Sequence, residues 1–122
     1  MKFSEDEVAS ARRLKTAGLA WQPSVGHFVW DENGLIEAAS PFHDRVFFIL
    51  DLKHFLRRSG TIAGLVEACV WLPTWFDARE ILSRGGVPDH VVARRIAETE
   101  AIENNRERSV LYEMIAEHLS VR

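Results

Sequence analysis

The segment Val70-Trp71-Leu72-Pro73-Thr74-Trp75-Phe76-Asp77-Ala78-Arg79-Glu80-Ile81-Leu82 constrains the fold of this chain more than any other. Two of the four tryptophans, a proline break and a helix start fall within it. Proline has no amide donor and disfavours a helical residue before it, so Trp71-Leu72-Pro73 must form an elbow. Thr74 and Asp77 have the spacing of a helix cap, and the elbow feeds directly into an amphipathic helix. This is a packing device. It is not a catalytic signature, and no other stretch supplies one.

The chain has 122 residues, 47% of them apolar and 27% charged, which is the size and composition of one domain able to bury its own core. The longest apolar run, Val46-Phe47-Phe48-Ile49-Leu50, is far too short to span a bilayer, so no membrane association is expected. Residues 1–7 turn acidic where a signal peptide would turn apolar, and the single Cys69 excludes an internal disulfide. Both features lead us to expect a cytoplasmic protein. The net charge of −3 and pI near 5.9 argue against nucleic acid as a partner. The basic pairs Arg12-Arg13, Arg57-Arg58 and Arg94-Arg95 lack the interleaved aromatics of a base-stacking surface.

Local patterns predict the elements. Ser4 and Glu7 form a capping box, Phe3 and Val8 a hydrophobic staple, and Gly18 a left-handed stop, so a helix is expected over 4–17. Asn33-Gly34 between two apolar-rich runs predicts a hairpin with strands near 27–32 and 35–39. A continuous apolar run does not distinguish a buried strand from a buried helix by periodicity; 45–50 is taken as a strand, followed by a short helix capped by Asp51. From Thr61 onward the expectation is helical throughout: one helix through Ala68 broken by Pro73, one from Thr74 to Gly85-Gly86, and one from Pro88 to about Ala101. Asn104-Asn105 mark a break before a last helix whose stripe is Leu111, Met114, Ile115, His118 and Leu119. The fold expected is α+β. A two- or three-stranded antiparallel sheet from residues 27–50 packs against the N-terminal helix and several C-terminal helices in a single domain over 1–122.

Histidines and carboxylates crowd between positions 27 and 54. His27, His43, Asp44, Asp51 and His54 are the residues from which a small metal-dependent hydrolase would be built, and His43-Asp44 reproduces the dipeptide of the HD phosphohydrolases. On a helix, however, His43 and His54 would stand about 16 Å apart, too far for one ion. Paired-cysteine and H-E-x-x-H spacings are absent, and no metal site is favoured. Cys69 lies in an apolar stretch, where a thiol is small, buried and inert. The serines lack a nucleophile-elbow context, and Gly85-Gly86 precedes Pro88 as a helix stop rather than a phosphate cradle. No cofactor is expected, and catalysis is disfavoured.

Two segments carry a resemblance. Ala11-Arg12-Arg13-Leu14-Lys15-Thr16-Ala17-Gly18-Leu19-Ala20-Trp21-Gln22-Pro23, followed by Gly26 and Phe28, resembles the opening A-R-x-L-x-x-A-G-L-x-W-x-P…G-D-x-F of a group of small bacterial proteins. Their later half carries a W-L-P block leading into a leucine-rich helix, similar to Trp71-Leu72-Pro73 through Leu82. His27 stands where those proteins have an acidic residue. The resemblance covers about a third of the chain. It implies a small α+β bacterial protein and, since the group has no established activity, transfers no site.

What remains is a surplus of tryptophan. Trp30 and Trp71 are expected to wedge helices onto the sheet. Trp75 follows a cap, where side chains often face outward, and with Phe76 and Arg79 it would form a binding patch. The expectation is therefore a non-enzymatic protein-interaction or ligand-binding module. It would engage a protein partner or a second copy of itself, through the Trp75 patch or the 110–119 stripe.

Overall fold

The computed structural model describes residues 2–36 and 45–121. Ser4 and Glu7 close the expected capping box at the start of α1 (Glu5–Thr16). The Glu7 amide donates to the Ser4 hydroxyl at 3.1 Å, and the Ser4 amide donates to the Glu7 carboxylate at 2.8 Å. At the other end Gly18 takes φ 95° and the Leu19 amide donates to the Leu14 carbonyl, the Schellman closure that the Leu14–Leu19 spacing predicts.

A small antiparallel sheet follows, built from β1 (Phe28–Trp30), β2 (Val46–Phe48) and β3 (Val70–Leu72) in the order β2-β1-β3. Phe28 lies opposite both Phe48 and Leu72, and Trp30 opposite Val46 and Val70. β1 and β2 fall within the strands expected at 27–32 and 45–50, and the third strand lies outside the expected 27–50. Asn33-Gly34 does not turn the chain into a strand at Leu35 and Ile36. Instead the buried Asp31 carboxylate accepts from the Leu35 and Ile36 amides at 2.8 and 2.7 Å, using the donors a ladder would need. Glu37, Ala38 and Ala39 lie outside the described residues. The partner of β1 is the apolar run 45–50, with extra bonds from Asp31 N to Arg45 O and from Ile49 N to His27 O. The third strand comes from Val70-Trp71-Leu72, which the sequence pattern assigns to a helical region ended by Pro73.

Both faces of the sheet are covered, which explains why its strands do not alternate apolar with polar. Phe28, Val46, Val70 and Leu72 face a core shared with α1, with α4 (Trp75–Arg84) and with α6 (Glu107–Ser120). Val29, Phe47, Ile49 and Cys69 face a second core with Phe55 of α2 (Leu52–Ser59) and Leu65 of α3 (Ile62–Ala68). Helix α5 (Asp89–Glu98) packs on α6, and the turn after it places Asn105 at φ 55°, so the Asn104-Asn105 break is real. Leu111, Met114 and Ile115 are buried against α1 and α4. Those three positions of the 110–119 stripe are core, while His118 and Leu119 at its end are half-buried. No helix among the described residues is long and apolar enough to cross a membrane.

Three polar links fix the helices on the sheet. The Tyr112 hydroxyl of α6 donates to the Pro73 carbonyl, pinning the elbow between β3 and α4. The Lys15 ammonium of α1 donates to the carbonyls of Glu67 and Cys69 at 2.6 and 3.1 Å. The edge of β3 is thus fenced on one side by α1 and at its end by α6, which protects it from pairing with another chain. Arg108 of α6 bonds Glu7 at 2.6 Å and lies 4.2 Å from the Phe3 ring centroid, so the α1 cap and the α6 start share one ion pair.

Candidate functional site

Thr74 caps α4 reciprocally with Asp77, as the spacing predicts, and this sets the direction of the first turn. Ala78 and Leu82 point into the core, while Trp75 and Phe76 in the first turn are 42% and 68% exposed. The Arg79 guanidinium sits 4.8 Å from the Trp75 ring centroid and hydrogen-bonds Asp89 at the start of α5, holding the indole by cation–π contact. Beside this pair runs a groove of about 440 Å³ between α4 and α5, floored by Val92 and Ile96 and closed by Ile102, itself 62% exposed. The structure thus brings Trp75 and Arg79 into one surface. Phe76 stands next to them without lining the groove.

A second concavity lies at the other side of α4. It has a volume of about 670 Å³ and is lined by Trp21, His27, Trp71, Asp77, Glu80 and Arg84, with His118 of α6 and Gly85 at its end. The Trp21 indole N–H donates to His27 Nδ1 at 3.0 Å, which leaves the proton of the neutral imidazole on Nε2. His27 stacks on Trp71 at 4.9 Å, and Trp71 stacks on Trp21 at 6.3 Å. Burial lowers the His27 pKa below 6.5, opposed by the nearby Asp77 carboxylate, so the ring is neutral at pH 7. The Trp71 indole nitrogen is buried without a hydrogen-bond partner among the described residues. These residues come from four separate stretches of the chain, which hides them from any spacing search. One signal was available: Asp77, Glu80 and Arg84 recur at i, i+3 and i+7 and therefore share a helix face.

The histidine and carboxylate set does not converge where it can be seen. His27 belongs to the tryptophan stack, the Asp51 carboxylate accepts from the Lys53 amide as the cap of α2, and His54 is exposed on α2 against Phe55. His43 and Asp44 lie outside the described residues. Among the described residues no three His, Cys, Asp or Glu groups could hold a metal ion. Cys69 is fully buried, and burial together with Asp31 pushes its thiol up to about 12, so it is no nucleophile at neutral pH. Comparison of the chain with family models, with curated proteins and with solved structures finds no match.

Proposed function

We propose that this protein is a non-enzymatic interaction module that docks a protein partner on the Trp75 surface. The observation that carries this reading is a large aromatic side chain held in the open by a fixed arginine at the rim of an apolar groove. Tryptophan and arginine dominate the binding energy of interfaces, and a rigid indole loses little entropy when it is covered. The groove suits one or two large apolar side chains inserted from a partner helix. Its rim holds Arg79 already paired with Asp89, and Glu103 beyond it, so a lysine or arginine flanking the inserted anchor is the complementary choice.

The test uses Trp75→Ala and Ile102→Ser, two exposed positions whose substitution leaves the melting temperature close to that of the parent. A partner captured by the parent chain and then purified should bind the Trp75→Ala variant at least about tenfold more weakly, a loss of about 1.4 kcal/mol. Equal affinity for parent and both variants would remove the surface from the interaction. Sedimentation of the chain alone distinguishes a foreign partner from a second copy. A large drop in thermal stability on Trp75→Ala would return the indole to the core and defeat the proposal.

A further inference from the structure

We infer that the cleft between the Trp21–Trp71–His27 stack and α4 is a second binding site, selective for a small organic cation bearing an ammonium or guanidinium group. Its volume of about 670 Å³ lies within the range of clefts that enclose small ligands. Its sign follows from the side chains that line it. Asp77 commits one carboxylate oxygen to the Thr74 amide, and Glu80 commits one to Arg84 at 3.1 Å. Each keeps its second oxygen uncommitted among the described residues. The one arginine in the lining, Arg84, is 80% exposed and paired with Glu80, so those two charges offset each other and the Asp77 carboxylate sets the net sign of the described lining. His27 contributes a neutral ring with its Nδ1 occupied by Trp21.

An anion entering this cleft meets the Asp77 carboxylate and the paired Glu80–Arg84, with no further arginine or lysine among the described lining residues. A cation meets the Asp77 carboxylate, the uncommitted oxygen of Glu80 and a wall built from the Trp21 and Trp71 rings, whose electron-rich π systems attract positive charge. Gly85 widens the far end: a Cβ there would come within 2.6 Å of His118 Nε2, so any side chain at 85 would push the imidazole aside. A ligand with a short aliphatic chain and a charged head fits these walls; a planar phosphate-bearing one does not.

The experiment is amide chemical-shift mapping with calorimetry, using choline and n-butylguanidinium against their neutral isosteres 3,3-dimethylbutan-1-ol and n-butylurea, and against butyrate. The expected result is shifts confined to residues 19–27, 71, 77–85 and 118, with the cations bound at least about tenfold more tightly than the isosteres. Glu80→Gln, at a position exposed on α4, should weaken the cations by about threefold or more and leave the isosteres unchanged. Trp75→Ala should change nothing, which keeps this site separate from the docking surface. Equal binding of cation and isostere, tighter binding of butyrate, shifts mapping elsewhere, or no binding up to about 10 mM ligand would each overturn the assignment.

Discussion

His27 shows how one side chain acquires a role that its sequence position does not announce. Its imidazole accepts from the Trp21 indole and is partly desolvated against Trp71, and the occupied acceptor and the desolvation both favour the neutral ring. Protonation would convert the Nδ1 acceptor into a donor facing another donor. The sign of the pH effect follows. With its folded pKa depressed below 6.5, the folded chain binds fewer protons than the unfolded chain just under that value. Stability therefore falls as pH is lowered from 6.5 towards the folded pKa, and the loss is complete below it. We predict that His27→Gln, which keeps an acceptor for Trp21, flattens the fall in melting temperature between about pH 7.5 and about pH 5.5. An unchanged pH profile in the variant would show that the imidazole titrates as freely in the fold as in the open chain.

At the scale of elements, local rules wrote the ends of helices more faithfully than the identity of strands. The Ser4–Glu7 and Thr74–Asp77 boxes, the Asp51 and Thr61 caps and the glycine stops at 18 and 86 depend on contacts within a few residues, so the sequence displays them whole. Gly64 is different. It lies within α3, where alanine would raise helix propensity by about 1 kcal/mol. Yet a Cβ there would stand 2.6 Å from the Ser59 carbonyl oxygen, a backbone atom at the end of α2 that cannot swing away. The contact between the two helices outweighs the propensity. Gly64→Ala should destabilise the protein by about 1–3 kcal/mol, measured by urea unfolding. A stabilised variant would mean that the α2–α3 junction has room to open.

Across the whole molecule, the two cores are joined by a sheet only three residues deep, so long-range polar links carry unusual weight. Tyr112 and Pro73 are far apart in sequence, and their hydrogen bond ties α6 to the elbow that launches α4 and presents Trp75. The hydroxyl is buried and its pKa is driven upward, chiefly by desolvation, so it stays a donor at every working pH. Tyr112→Phe keeps the ring and strands the Pro73 carbonyl; the expected cost is about 1–3 kcal/mol in denaturant unfolding. A variant as stable as the parent would show that water replaces the lost donor.

The same scale separates what the sequence carries from what the tertiary structure decides. The sequence by itself determined the helix at 4–17, the elbow at Pro73, the exposed Trp75 and Phe76, and the buried thiol of Cys69, because caps, breaks and amphipathic stripes are short-range. It misassigned β3: Val70-Trp71-Leu72 becomes a strand only because β1 leaves its second edge unpaired, and pairing across some forty residues leaves no local trace. It read Asn33-Gly34 as a hairpin because it could not show that Asp31 would take the Leu35 and Ile36 amides. It placed the last helix's stripe correctly but could not say what covers it; packing against α1 and α4 buries Leu111, Met114 and Ile115. The cleft was the least legible of all. Its tryptophans, histidines and carboxylates converge from distant segments, and convergence is a property of the packed chain alone.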